Sequence, residues 1–180
     1  QQPLCLMAML LALWYSLFAP TCAVPVFGFA MFFAKAYAAA TGRKVLLIPC
    51  GLTTTGFSTA SPNTWTAGPG SLRERTINRA NAAKVLDPAI TLKGILWMQG
   101  ESDGSISATY AATLDAMIAD FRASMTGGTN VPFVCGGMAQ DYVGVNGALL
   151  TIQAALAATP TRNSKCGYAN PDVPSVLTTS

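Results

Sequence analysis

The sequence predicts a single α/β domain built on a mainly parallel sheet. From residue 25 onward, segments with helical spacing of apolar residues alternate with short apolar runs typical of buried strands, and this alternation favours helices packed on a parallel sheet. The chain has 180 residues, of which 51% are hydrophobic and 11% charged, so one domain has enough apolar material for a core. We expect one domain over 25–180, preceded by an apolar segment, 1–24, of uncertain role.

The amino-terminal segment allows three interpretations. Leu4–Ala19 is continuously apolar, and Thr21-Cys22-Ala23 behind it resembles a signal-peptide cleavage site. However, Gln1-Gln2-Pro3 carries no positive charge, and the run is shorter than the ~20 residues that span a bilayer. A secretion signal, a membrane span and a buried helix therefore stay open. A signal over 4–23 would direct the protein to the periplasm or outside the cell, whereas a membrane is not an expected partner.

A helix, a strand and a long loop are expected next. Pro25–Thr41 suits a helix, with proline in its first turn and Gly42 as a left-handed C-cap. Lys44–Ile48 is an apolar run that predicts a strand. The polar stretch Gly51–Gly70 is rich in Gly, Thr, Ser and Pro, and a loop of this length in an α/β fold often carries function.

A second helix and strand follow this loop. Ser71 and Glu74 have the Ser-x-x-Glu spacing of a capping box, which predicts a helix start, and Asp87-Pro88 predicts its end. Leu92–Met98 is apolar throughout, as expected for a strand buried on both faces.

The carboxyl-terminal half continues the alternation. Apolar residues recur at helical spacing over Ser105–Met125, which predicts a helix. Val131–Gly136 predicts a third strand, and the spacing over Val145–Leu156 predicts a helix that ends before Pro160. A short strand is expected at Cys166–Ala169, within a tail of weak periodicity that runs to the end of the chain.

Charge and cysteine content exclude several classes of function. The net charge is +3, and no basic run is longer than Arg43-Lys44, so nucleic-acid binding is not expected. The five cysteines form no Cys-x-x-Cys pair and the chain has no histidine, so a zinc site is not expected. Cys50 and Cys135 each end an apolar run, and we interpret both as buried thiols.

A polar cluster, Gln99–Gly104, lies between the second strand and a helix. In open α/β sheets this position faces the ligand crevice, although turn formation with Ser105 as a helix cap accounts for the same residues. Gly100–Gly104 also fits the Gly-x-Ser-x-Gly pattern of a nucleophile elbow around Ser102. Because the chain has no histidine, Ser102 is not expected to belong to a triad.

The block Leu92–Asp103, which ends Trp-Met-Gln-Gly-Glu-Ser-Asp, resembles the Trp-x-Gln-Gly-Glu-x-Asp block of one group of SGNH-type hydrolases. This group contains the sialate O-acetylesterases and the acetylxylan esterases of carbohydrate esterase family six. The resemblance extends over Gly28–Ala157 and includes the Phe32–Ala36 segment before Val45–Cys50, together with a tryptophan at Trp65.

The resemblance implies a flavodoxin-like three-layer sandwich and removal of acetyl groups from an acetylated carbohydrate by serine acyl transfer, without metal or cofactor. It implies that Gln99 donates to the oxyanion and that Glu101 orients the catalytic histidine. Asp103 is expected to hold its loop by accepting backbone N–H bonds. The substrate-binding residues expected on this basis are Thr53, Thr54, Gly100 and Asp103.

The chain also departs from the family pattern. It has no Gly-Gln-Ser-Asn nucleophile motif and no histidine, and it stops at Ser180, about where the family's Asp-x-x-His motif would begin. We therefore expect an incomplete sheet whose first strand is missing, and a chain that is inactive by itself. The alternative is a catalytically dead glycan-binding or structural module. Trp65, Trp97 and Tyr142 could stack on sugar rings or could be core aromatics.

Overall fold

The protein contains an open, five-stranded, wholly parallel sheet. The computed structural model describes residues 29–172 in full and residues 5–11 as backbone. The strands are β1 (Cys5–Leu11), β2 (Val45–Pro49), β3 (Thr91–Met98), β4 (Phe133–Gly136) and β5 (Cys166–Ala169). Their order is β2-β1-β3-β4-β5, and every neighbouring pair is parallel. The predicted α/β class with a parallel sheet is confirmed.

The prediction that the first strand is missing is wrong. β1 lies between β2 and β3, with Cys5 opposite Val45 and Leu11 opposite Met98. A continuous apolar run does not distinguish a helix from a strand that is buried on both faces, and residues 5–11 form the strand instead of the helix considered above. The proposed cleavage site at residues 21–23 lies outside the described residues.

Six helices are described: α1 (Phe29–Thr41), α2 (Leu72–Leu86), α3 (Tyr110–Ser124), α4 (Gln140–Val143), α5 (Gly147–Ala157) and α6 (Thr159–Arg162). The caps predicted at Gly42 and Ser71 are present, whereas Ser105 lies inside the 3₁₀ turn Gly104–Ile106 and does not cap a helix. Gly42 has φ +68° and its N–H donates to the Ala38 carbonyl at 2.8 Å. The Ser71 hydroxyl accepts from the Glu74 N–H at 3.1 Å. Within residues 5–11 and 29–172, no helix is both long and apolar enough to cross a membrane.

Some boundaries differ from the sequence-based expectation. The helix predicted over Ser105–Met125 opens with a 3₁₀ turn, Gly104–Ile106, and becomes α-helical at Tyr110. Pro160 lies in the first turn of α6, where its missing N–H costs nothing. The short helix α4 was not predicted, and residues 25–28 of the first predicted helix lie outside the described part of the chain.

The core has two layers of unequal size. On one face of the sheet, Trp97 and Phe133 pack against α2, α3 and α5 in a large apolar cluster. On the other face, Ala30 of α1 packs with Leu96 and half-buried strand residues. The larger layer holds the end of β3 rigidly, which positions the polar residues that follow it.

Candidate active site

The candidate site lies at the carboxyl edge of the sheet. Gln99–Asp103 follows β3, and the loop Cys50–Ser58 follows β2, on the other side of β1. Leu11 at the end of β1 is level with Met98. The chain reverses its direction of winding between β1 and β3, and open α/β sheets bind ligands at such a switch point.

Asp103 joins the two loops. It is fully buried, and its carboxylate accepts the N–H of Phe57 at 3.0 Å and the N–H of Ser58 at 2.9 Å. It also accepts the Ser58 hydroxyl at 2.7 Å and the Gln99 side-chain amide at 2.8 Å. Asp103 therefore accepts backbone N–H bonds as expected, but from the loop after β2 and not from its own loop. Substrate binding by Asp103 and Gly100 stays a prediction. A side chain at Gly56 would place its Cβ 2.7 Å from the Asp103 Cγ, so this approach requires glycine.

Gln99 is held on all sides. Only 1% of it is exposed. Its Nε2 donates to Asp103 at 2.8 Å and lies 3.5 Å from the Thr55 carbonyl, at the limit of a hydrogen bond. The Tyr110 hydroxyl lies 3.0 Å from both the main-chain and the side-chain oxygen of Gln99 and donates to them. These contacts fix which end of the amide faces which neighbour.

Tyr110 is itself positioned by a donor. The Trp97 indole N–H donates to its hydroxyl at 3.3 Å. Burial raises the pKa of Tyr110 well above its ordinary value of 10, and the hydrogen bond from Trp97 opposes this. The phenol therefore keeps its proton and remains a donor to Gln99.

Glu101 is the half-buried carboxyl of the site. Desolvation raises its pKa, the backbone N–H groups of Glu101 and Gly100 oppose the increase, and the nearby Asp103 charge adds to it. A raised carboxyl pKa beside a crevice is a feature that functional sites share, although buried structural groups show it too.

Gly100 gives the turn after β3 its shape. Its φ of +146° is open only to glycine at low cost, and a Cβ there would lie 2.7 Å from Cγ2 of Ile152. The neighbouring Met138 is held in turn by the Gln153 side chain, which accepts from its N–H and donates to its carbonyl, both at 2.9 Å. Helix α5 therefore packs against the turn and supports it through Ile152 and Gln153.

The two predicted substrate-binding threonines lie in the loop after β2. Thr54 has φ +56°, a left-handed conformation that is unusual for a β-branched residue, and its hydroxyl donates to the Thr53 carbonyl at 2.7 Å. The residue of this loop that contacts Gln99 is Thr55. The structure therefore joins Gln99 and Asp103 directly, and substrate binding by Thr53 and Thr54 stays a prediction.

The aromatic residues divide into core and surface. Trp65 and Trp97 are each 1% exposed and pack edge to face with centroids 5.1 Å apart, so they are core aromatics instead of sugar-stacking residues. Tyr142 is 46% exposed and keeps a free ring surface.

Two cysteines, Cys50 and Cys135, are buried as the sequence predicts. Both are free thiols, and burial raises the pKa of Cys135 to about 12. Among the described residues, no three Cys, Asp or Glu side chains come close enough to hold a metal ion. Ser102 is exposed and its carbonyl accepts from the Ser58 hydroxyl at 3.1 Å.

Sequence reasoning missed Tyr110 and Ser58 as members of the site. Apolar spacing assigns Tyr110 to the buried face of a helix, which is correct, but spacing does not show where its hydroxyl reaches. The available signal was general: a buried tyrosine needs a partner for its O–H. Ser58 gave no signal, because its contact with Asp103 joins residues 45 positions apart.

Comparison with known proteins identifies the family. The family model described as carbohydrate esterase, sialic acid-specific acetylesterase, matches residues 15–170. The chain belongs to this family. Its members are acetylesterases, a class of hydrolase, so the resemblance stated from Leu92–Asp103 is confirmed at the family level. A comparison with curated proteins found no significant match.

Two solved structures share the fold of this acetylesterase-family chain. NanS superposes with a TM-score of 0.64 and 20% identity over 79% of this chain and 51% of its own. A protein of Arabidopsis thaliana superposes with a TM-score of 0.63 and 23% identity over 80% of this chain and 56% of its own. The SGNH-type α/β fold is thus confirmed, and the chain spans about half the length of these two proteins.

Proposed function

We propose that this chain is the esterase-fold part of a carbohydrate O-acetylesterase, which removes acetyl groups from sugar hydroxyls by serine acyl transfer. The observation that carries the proposal is the network of Gln99 and Asp103 at the carboxyl edge of the sheet, in a chain of the acetylesterase family. No metal or cofactor enters this chemistry. The ligand is an acetylated carbohydrate.

Gln99 is the proposed oxyanion donor. One amide hydrogen is engaged by Asp103 at 2.8 Å, whereas the contact with the Thr55 carbonyl is 3.5 Å long. The second hydrogen is therefore weakly held and can pass to an acyl oxygen at small cost. A donor whose orientation is fixed before the reaction stabilises developing charge most effectively.

Glu101 is proposed to orient a base, as in related enzymes. Its raised pKa reflects a desolvated carboxyl, which a neighbouring imidazolium would stabilise. The 180 residues contain no histidine, and general-base assistance is worth roughly two to four orders of magnitude in rate. We therefore propose that the chain alone does not hydrolyse acetyl esters appreciably.

A second candidate function is a catalytically dead module that binds glycan or has a structural role. One observation favours it: both amide hydrogens of Gln99 already have acceptors within the chain. In such a module the network would only stabilise the loops. The coding sequence beyond residue 180 separates the two candidates, because an Asp-x-x-His segment there would favour the enzyme.

Hydrolysis and binding test the proposal together. With 4-nitrophenyl acetate, we expect release of nitrophenol at the buffer rate for the wild-type chain and for Gln99→Ala. Turnover that Gln99→Ala abolishes would overturn the proposed inactivity of the isolated chain. Titration of the ¹⁵N-labelled chain with an O-acetylated xyloside should shift the amides of Gly100–Asp103, and the deacetylated xyloside should shift them less. Equal shifts favour the dead glycan-binding module, and the absence of shifts contradicts the enzyme proposal and favours a structural role.

A further inference from the structure

A second concave site lies between α2, α3 and the loop that precedes α2. It is a cavity of about 270 Å³ that opens to solvent, and it shares no residue with the Gln99–Asp103 network. Its apolar wall is formed by Ala67, Pro69 and Ile77, and its polar wall by Arg73, Glu74 and Asp120. A few fixed polar groups beside an apolar surface are the usual composition of a small-molecule site.

Arg73 is held rigidly in this cavity. It is 9% exposed, its Nε donates to Asp120 at 2.5 Å, and its Nη2 donates to the Ala116 carbonyl at 3.2 Å. Its Nη1 makes no hydrogen bond to any described residue. A guanidinium that is fixed by two bonds and retains free donors loses little conformational entropy when it binds a ligand.

The two carboxylates of the cavity are only partly occupied. Asp120 accepts from Arg73 and from the Ser124 hydroxyl at 2.8 Å. One oxygen of Glu74 accepts from the Gly70 N–H at 2.5 Å, and its other oxygen has no described partner. One guanidinium faces two carboxylates, so a phosphate or a carboxylate ligand would be repelled on balance. A neutral molecule that both donates and accepts hydrogen bonds matches the free donors of Arg73 and the free oxygen of Glu74.

We propose that this cavity binds one neutral pyranose ring and so anchors a glycan outside the crevice. Adjacent hydroxyls would bridge the free donors of Arg73 and the free oxygen of Glu74, and the C–H face of the ring would lie on Pro69 and Ile77. The volume is below the roughly 300 Å³ at which drug-sized pockets begin, so one ring fits better than an oligosaccharide. The choice of a sugar as the ligand rests on the proposed function. The geometry and charges of the cavity are independent of that proposal.

Gly68 supplies the test variant. It lines the cavity, and a Cβ at this position would meet no atom within 4 Å. Gly68→Leu therefore adds bulk at the cavity lining without a clash at Cβ and should obstruct ligand entry, and Gly68→Trp should obstruct it further. Gly147→Leu is the matched control, because a Cβ there also meets no atom within 4 Å and the residue lies outside the cavity. Thermal unfolding of each variant checks that the fold is retained.

The experiment is a ¹H–¹⁵N titration of the full chain with methyl β-D-xylopyranoside, a neutral sugar without an acetyl group. We expect shifts of the amides of residues 68–74 with a Kd on the order of 1 mM. Gly68→Leu should weaken binding at least about tenfold, a loss of about 1.4 kcal/mol, and Gly147→Leu should leave it unchanged. Gly68→Trp should weaken it as much or more.

Three results would overturn the cavity proposal. These are no shift of the 68–74 amides, shifts that persist unchanged in folded Gly68→Leu and Gly68→Trp, and an equal response to the acidic sugar N-acetylneuraminic acid. Shifts confined to Gly100–Asp103 also refute the cavity while leaving the proposed function supported. Shifts confined to residues 68–74 support the cavity, and the acetylated xyloside tests the crevice separately.

Discussion

Replacing Asp103 by asparagine tests whether this one carboxylate holds the site together. The substitution keeps the shape of the side chain and removes its charge. Asp103 receives four donors, two from backbone N–H groups of Phe57 and Ser58, one from the Ser58 hydroxyl and one from Gln99. An asparagine offers one acceptor oxygen and one NH₂ group, so it cannot receive all four.

The expected loss in the free energy of unfolding can be estimated by counting the donors that lose their acceptor in Asp103→Asn. If the asparagine oxygen faces Phe57 and Gln99, its NH₂ group faces the Ser58 hydroxyl, which can rotate to accept, and the Ser58 N–H, which cannot. The part-buried N–H of Ser58 is then unpaired, and the other bonds lose their charge assistance, worth roughly 1–1.5 kcal/mol each. The lower desolvation cost of a neutral amide offsets part of this loss. We expect a net decrease of about 3 kcal/mol in the free energy of unfolding.

Thermal and urea unfolding measure this effect. For a chain of this length, about 3 kcal/mol corresponds to a decrease in Tm of roughly 6–12 °C. Asp141→Asn is the matched control, since Asp141 is exposed on α4 and its carboxylate has no described partner. The control should change the stability by less than about 0.5 kcal/mol. If Asp103→Asn unfolds within that margin of Asp141→Asn, the four bonds do not hold the loops as we argue.

Three further predictions concern other residues. Because the folded-state pKa of Glu101 is raised, its ionisation destabilises the fold as pH rises above the ordinary value of 4.5. Glu101→Gln should therefore have a higher Tm than wild type at pH 7, and a difference that persists at pH 3 would contradict this cause. Gly100→Ala should lower the free energy of unfolding by about 2–4 kcal/mol through its φ and its contact with Ile152, whereas Gly147→Ala should be neutral or stabilising; equal effects in chemical denaturation would refute this. Cys135, with a pKa of about 12, should resist iodoacetamide at pH 8 in the native chain and react once it is unfolded; native labelling, detected by peptide mass mapping, would contradict its burial.

The sequence predicted elements best where local chemistry and periodicity agreed. The caps at Gly42 and Ser71 have the predicted contacts, because a cap depends on residues a few positions apart. The strand at Cys166–Ala169 has its predicted bounds. Local signals of this kind do not depend on the rest of the fold.

β1 could not be predicted because its secondary structure depends on distant residues and not on local signals. Cys5–Leu11 belongs to a longer apolar run, and its identity as a strand is decided by its two partners, β2 and β3. A central parallel strand is apolar on both faces, so periodicity carries no information there. The same limit applies to Tyr110, whose burial was predictable from spacing but whose bond to Gln99 depends on how α3 packs against β3.

The contacts that support the fold and the proposed chemistry depend on the same residues. In the proposed role, an acyl oxygen takes the place of the Thr55 carbonyl, which lies 3.5 Å from Nε2, as the acceptor of one Gln99 amide hydrogen. The 2.8 Å bond to Asp103 and the 3.0 Å bond from Tyr110 must persist, because they stop the amide from turning. The Asp103 charge also polarises the amide whose other hydrogen would meet the oxyanion. The contact with Thr55 is the weaker of the two that Gln99 makes through its amide hydrogens, and it is the one that the proposed donor role would give up.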